Sequence, residues 1–406
     1  MTISNINNSE SGASVRSKIN HAIGAVNGMM AGAYNPLDNH SSRDEDPSIA
    51  TVTFGSKNAA LTREVSIFDN LDKFHLNGYI NLFQYSIGVR LGQVTVKSTG
   101  NVGSNNDQIC ACYSFVCPAD RVGIEILTSR IFNVKVDGVF IDKSAYSSSG
   151  GGFTWMDLLF PSEKPSGRLI QIYTSVESSP IATVATAPIY DVTKPLLSDK
   201  RVAFVGDSFS AGTGSGTYAG LSWVPIVADA FGWHNFLPNA EGGTGFINDL
   251  GDTKYTFAER IPDLVTFGAE KVIVSGSIND NGNSDAAIEA AVTDYLTQLH
   301  AALPGVDVVV LGVPGRYTAS TEANELAVKA GVESYNAANG TNIIFVPLQT
   351  QQSGGLVYGT GDVGSPTGDG NADVLMSSDG DHYAYDGYVY STNHVIPEMV
   401  RQGVTY

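Results

Sequence analysis

The chain has 406 residues, 42% of them hydrophobic, which is enough for two or three domains with real cores. Its 41 acidic residues against 23 lysines and arginines leave a net charge of −18. A surface of that sign repels nucleic acid and anionic membrane, so neither is expected as a bulk partner.

No apolar run reaches the ~18 residues of a membrane-spanning helix. The start, MTISNINNSESGASVRSKIN, lacks the apolar core of a secretory signal peptide. The expected location is therefore either inside the producing cell or outside it after assembly or lysis. Within residues 1–48, Val15, Ile19, Ala22, Val26 and Met29 recur at heptad spacing, with Ser14 as a helix N-cap. The pattern fits a packed amphipathic helix and an oligomerising one equally. In the second case a homotrimer through this segment is the arrangement to test. Asn35 to Ser48 reads as a linker.

Residues 49–195 read as an all-β domain. ATVTF, REVSIF, YINLFQYSIGVRLGQVTVKS, QICACYSFVC, RVGIEIL, FNVKVDGVFI and RLIQIY are rich in β-branched and aromatic residues and are separated by Gly, Asn and Ser. A β-sandwich of jelly-roll type is expected, with Asp137-Gly138 turning a hairpin. Cys110, Cys112 and Cys117 lack the His partners of a zinc site and read as small buried hydrophobes.

From residue 199 to 406 the texture changes. RVAFVG, HNFLPNA, KVIVSGS, VDVVVLGVP and NIIFVPL suit buried parallel strands. Helical patterns lie between them at SWVPIVADAF, FAERIPDLVTFG, DAAIEAAVTDYLTQLHAAL and ANELAVKAGVESYNAA. The alternation implies an α/β domain whose site lies beyond the carboxyl ends of the strands.

Four stretches stand at those ends. Gly206-Asp207-Ser208 follows the first strand, either as a turn with Asp207 or Ser208 capping a helix, or as a nucleophile at a strand end. EGGTGFIN follows the second and offers backbone N–H groups. GSINDNGN follows the third and carries the neutral donor Asn279, or an Asx-turn. SSDGDHYAYDGY lies near the C-terminus. Its Asp379 can accept from one imidazole nitrogen of His382 and leave the other facing a serine. Asp379, Asp381 and His382 would make a poor metal set, since no second His lies close in sequence, and no metal is expected.

In this order the four stretches resemble the blocks of the SGNH/GDSL hydrolase family, over about residues 199–402. GDSFSAGTG is similar to the first block. EGGTGF is similar to the second, with Gly243 as its glycine and Gly242 the alternative. SIND resembles the third, with Ser277 where the family usually has Gly, and DGDH the fourth. The resemblance implies a flavodoxin-like three-layer fold and a triad of Ser208, His382 and Asp379. It also implies an oxyanion hole of Ser208 N–H, Gly243 N–H and the Asn279 amide, with no cofactor. The β-domain in front resembles carbohydrate-esterase members, which implies an O-acetylated polysaccharide as substrate. A lipase or thioesterase on the same scaffold and a non-catalytic glycan-binding adhesin are the alternatives. SGASVRSKINHAI is similar to the start of phage tail-associated proteins, which would place the protein on a virion, with the cytoplasm as the alternative. Asp207 is expected to shape the turn and, with Arg316 and Tyr317, is a candidate substrate contact. Trp223, Trp233, Tyr218, Tyr317 and Tyr383 are candidates to stack on sugar or to pack in the core. Ala211 to Gly216 read as an open rim around Ser208.

Overall fold

A computed structural model describes residues 46–85, 88–95, 97, 102–103, 110–127, 131–141, 146–147, 152–175, 181–215, 222–351 and 354–404. The heptad at 15–29, the phage-like stretch, most of the expected linker, Gly216 and Tyr218 lie outside them.

Up to Thr186 all described strand pairs are antiparallel. In chain order the strands are β1 (Thr51–Gly55), β2 (Arg63–Ser66), β3 (His75–Leu76), β4 (Asn81–Tyr85), β5 (Gly88–Gly92), β6 (Val94–Thr95) and β7 (Val102–Gly103). Then follow β8 (Cys110–Cys117), β9 (Arg121–Leu127), β10 (Ile131–Val136), β11 (Val139–Phe140), β12 (Tyr146–Ser147), β13 (Phe153–Leu159), β14 (Arg168–Ser175) and β15 (Ile181–Thr186). Seven form one sheet, ordered β1-β13-β9-β15-β5-β4 with β2 on β15. Six form a second, ordered β11-β10-β14-β8-β3 with β12 on β10. Alternation puts Val122, Ile124 and Ile126 of β9 and Phe132, Val134 and Val136 of β10 into one core between the sheets. Asp137 and Gly138 both take positive φ, as a tight two-residue hairpin turn requires.

Strands β13 and β15 have no counterpart in the sequence reading. FTWMDLL mixes Thr and Asp into a half-buried surface, and IATVAT is too rich in Ala to stand out; both are strands because β9 pairs with each of them. Strand β8 is buried on both faces. Ala111, Tyr113, Phe115 and Cys117 face the sandwich core, while Cys110 and Cys112, with Tyr173, join the core of the neighbouring α/β region. Burial pushes the Cys112 thiol up to about 12 and the Cys117 thiol to about 11, so both behave as small hydrophobes.

The α/β region carries β16 (Arg201–Gly206), β17 (Asn235–Ala240), β18 (Lys271–Ser275), β19 (Asp307–Leu311) and β20 (Ile344–Val346), all parallel, in the order β17-β16-β18-β19-β20. Pro238 is tolerated because β17 is the edge strand. The helices are α1 (Ser208–Ala211), α2 (Trp223–Ala230), α3 (Ile261–Phe267), α4 (Asp285–Ala302), α5 (Ala319–Asn339), α6 (Ala372–Leu375) and α7 (Tyr385–Arg401). Helices α2 and α7 pack with Val202 and Phe204 on one face of the sheet; α3, α4 and α5 pack with Ala203 and Val205 on the other. The result is the three-layer flavodoxin-like arrangement. Chain neighbours β17 and β18 flank β16 on opposite sides, so the topological switch point lies at the carboxyl end of β16, where Ser208 begins α1.

Helix α7 also escaped the sequence reading, because Gly387, Ser391, Thr392 and Pro397 are weak helix formers. It is held by packing of Tyr388, Val395 and Met399. The two regions meet over polar contacts as well. Lys135 pairs with Asp229 at 2.8 Å, and His75 Nε2 donates to the His234 carbonyl at 3.0 Å. Asn239 Nδ2 donates to the Gln93 carbonyl at 3.1 Å, and Thr95 N donates to Asp263 at 2.9 Å.

Candidate active site

Strand β16 ends at Gly206, and Asp207 caps α1 by accepting from Phe209 N at 2.9 Å. That turn lifts Ser208 to the surface end of the strand. His382 Nε2 stands 2.8 Å from Ser208 Oγ, and His382 Nδ1 stands 2.9 Å from Asp379 Oδ2. A carboxylate only accepts, so Nδ1 carries the proton and the Nε2 lone pair faces the serine. Burial alone would raise the Asp379 carboxyl. Hydrogen bonds from the His382 backbone and ring, from Asp381 N and with Ser377 outweigh it and hold it at about 2. The three side chains expected from the sequence are therefore in hydrogen-bond contact.

The other expected donors lie on two loops that clamp each other. Asn279 Nδ2 donates to the Thr244 carbonyl at 2.9 Å. The neighbouring Asp280 is buried and accepts from Phe246 N, Ile247 N and Asn248 N at 2.9–3.0 Å. Gly243 has φ +78°, a conformation that favours glycine. Lys254 Nζ holds the Gly242 carbonyl at 2.7 Å, so the N–H of Gly243, in the same peptide, points the opposite way. Among the described residues neither Ser208 N nor Gly243 N has a hydrogen-bond acceptor. The Gly243 N–H is thus available to an oxyanion. Ser277 keeps the left-handed backbone expected of the glycine it replaces, with φ +81° and its side chain fully buried.

Several expected contacts are corrected. Asp207 is fully buried and cannot meet substrate. Burial pushes its carboxyl up to about 7, only partly offset by Phe209 N–H and Arg260. Half-buried Arg316 pairs with no carboxylate among the described residues; it donates to the carbonyls of Thr360, Gly361 and Gly380. Tyr317 donates its hydroxyl to Glu322 at 2.7 Å and keeps a half-exposed ring. Trp223, Trp233 and Tyr383 are core residues, with Trp223 Nε1 on Ser210 and Tyr383 Oη on Gly315. Among the described residues, 211–215 are no open rim. A Cβ on Gly214 would lie 2.6 Å from His382 Cβ, so they let the histidine loop approach.

Three supporting residues escaped the sequence reading. Arg260 is buried and donates to the carbonyls of Asn239 and Gly206 and to Thr244 Oγ1. Asp280 builds the loop that carries Gly243. Glu325, fully buried, accepts from Val313 N, Leu348 N, Gln349 N and Thr350 N, and so gathers the ends of β19 and β20. A signal for Glu325 existed: it shares the apolar face of α5 with Val328, Val332 and Tyr335.

Residues 204–388 match the model of the GDSL-like lipase/acylhydrolase family. Among curated protein sequences none matches. Solved structures share the fold across both regions. The acetyl xylan esterase Est2A of Butyrivibrio proteoclasticus, 12% identical, aligns over 84% of this chain and 98% of its own with a TM-score of 0.57. The salicylyl-acyltransferase SsfX3 of a tetracycline biosynthetic pathway, 13% identical, aligns over 86% and 99% with a TM-score of 0.60. A family two carbohydrate esterase of Clostridium thermocellum, solved with cellohexaose and 12% identical, aligns over 80% and 98% with a TM-score of 0.56. The α/β region thus has the SGNH hydrolase fold, and residues 204–388 within it are similar to the GDSL-like lipase/acylhydrolase family, which supports a hydrolase acting on esters.

Proposed function

We propose that the protein is a serine esterase that removes acetyl groups from an O-acetylated polysaccharide. The observation that carries the reading is the His382 imidazole, in contact with Ser208 on one nitrogen and Asp379 on the other. Ser208 Oγ attacks the ester carbonyl as His382 Nε2 takes its proton. Asp379 holds the tautomer and stabilises the imidazolium. The oxyanion is met by the N–H groups of Ser208 and Gly243 and by the Asn279 amide, each such donor being worth ~3–4 kcal/mol of barrier. His382 then protonates the departing sugar hydroxyl, and water cleaves the acetyl-enzyme by the same relay in reverse.

The polymeric substrate is supported by an open site, where Asp379 is 42% exposed and the His382 side chain 20%. It is also supported by similarity to an acetyl xylan esterase and to a carbohydrate esterase solved with cellohexaose. Acetate release from a panel of acetylated polysaccharides tests the reading, with Ser208→Ala as the control. Release that survives Ser208→Ala overturns the nucleophile. A p-nitrophenyl ester series peaking at eight carbons or more, in place of acetyl, overturns the acyl group.

A further inference from the structure

We propose that Arg316 is a positioning residue that fixes the Asp379–His382 loop in line with Ser208; this rests on the triad reading above. The loop is tied mainly to itself. Ser377 N donates to the His382 carbonyl at 2.8 Å and Gly380 N to the Ser377 carbonyl at 2.9 Å. Asp379 Oδ1 accepts from Asp381 N and His382 N, both at 3.0 Å. These bonds shape the loop but do not anchor its tip, which is exposed at Asp379 and Asp381.

The guanidinium of Arg316 reaches that tip from the end of β19. Nη2 donates to the Gly380 carbonyl at 3.3 Å, between Asp379 and Asp381, and to the Gly361 carbonyl at 2.9 Å. Nη1 donates to the Thr360 carbonyl at 3.0 Å. One rigid planar group thus joins the histidine loop to the 360–361 loop, which a lysine, with a point charge on a flexible stem, cannot reproduce. Arg316 is itself fixed on both sides. Its carbonyl accepts from Thr321 Oγ1 at 3.1 Å. Its neighbour Gly315 donates through N–H to Tyr383 Oη at 2.8 Å, and Tyr383 follows His382 in the chain. An arginine that meets only backbone carbonyls beside a catalytic loop sets geometry. Misplacement by about 1 Å in such a site costs on the order of 100-fold in rate.

The test uses the full chain and two readouts, turnover of p-nitrophenyl acetate and the rate of Ser208 labelling by a fluorophosphonate. Arg316→Gln is expected to lower kcat and the labelling rate by about 10–100-fold with KM within about twofold of wild type. Arg316→Lys should recover part of the loss at an unchanged melting temperature, and ethylguanidinium should restore activity to Arg316→Ala. In an Asp379→Asn background, Arg316→Gln should cost no more than about threefold further, because both act through His382. A kcat for Arg316→Gln within twofold of wild type overturns the proposal, as does full additivity with Asp379→Asn. So does an effect confined to KM on polysaccharide. Should Arg316→Gln not fold, an Arg316→Lys enzyme with wild-type kcat overturns it equally. A wild-type protein inert to the fluorophosphonate overturns the triad reading instead, and so the two failures differ.

Discussion

The sandwich and the α/β region bury polar side chains in different places. In the sandwich, buried His75 and Lys135 reach across to groups of the α/β region, while buried Arg168 stays within it on the carbonyls of Ala119 and Ser162. In the α/β region, Asp207, Arg260, Asp280 and Glu325 are buried beneath the carboxyl ends of the strands and bind backbone N–H or C=O groups of the loops there. Burying a charge costs several kcal/mol unless it is paired and hydrogen-bonded. At Lys135 the sandwich meets that cost to weld two bodies together. The α/β region meets it to give loops at the strand ends one conformation. Lys135 thus serves a fastening, and Asp207, Arg260, Asp280 and Glu325 a working surface.

Four substitutions break or sharpen this contrast. Asn279→Ala removes a side chain from the working surface and should lower kcat by about 10²–10³-fold, with little change in melting temperature. Steady-state kinetics on p-nitrophenyl acetate read it, and a change confined to KM would remove Asn279 from the oxyanion hole. Lys135→Ala removes a buried ammonium from its 2.8 Å pair with Asp229 and should cost about 1–3 kcal/mol of stability in urea unfolding, with kcat within about twofold. A loss of kcat at unchanged stability would mean that the sandwich takes part in the chemistry.

Asp207→Asn keeps a capping side chain but removes a carboxyl whose folded value, about 7, lies above its ordinary 3.8. The folded protein then holds more protons than the unfolded chain between those values. Stability falls as pH rises from about 4 through 7, by an amount on the order of a few kcal/mol. The variant should therefore gain on wild type at pH 8 relative to pH 5. An equal difference in melting temperature at both pH values would show that Asp207 is not perturbed. The smallest effect is expected from Ser277→Gly, which relieves a left-handed serine and should add up to ~1 kcal/mol. A lower melting temperature would mean that the buried Ser277 hydroxyl matters more than the backbone.

What the sequence disclosed follows the same division. Ser208, Asn279, Asp379 and His382 were legible because parallel strands deliver their successors to one end, so order along the chain becomes proximity in space. The Asp137-Gly138 hairpin was legible because only such a pair turns within two residues. Arg260 and Glu325 were not picked out, since an isolated helical pattern treats a charge as a solvated face. The strand ends beside them supply the carbonyls and N–H groups that these two side chains bind. The backbone role of Arg316 was not legible either. Its acceptors are main-chain atoms of residues 360, 361 and 380, which carry no mark in the sequence.

The packing of His75, Gly78 and Gln93 against β17 has a consequence for taking the molecule apart. A parallel sheet ends in a strand whose outer backbone is open to any chain that can pair with it. Here that side is occupied: a Cβ on Gly78 would lie 2.7 Å from Leu237 N, and Asn239 and His234 are engaged by Gln93 and His75. A catalytic half expressed without the sandwich would uncover this strand and tend to associate edge to edge. The amino-terminal sheets thus shield an edge of the half that follows, and a chain cut near residue 199 should be less soluble than one that keeps them.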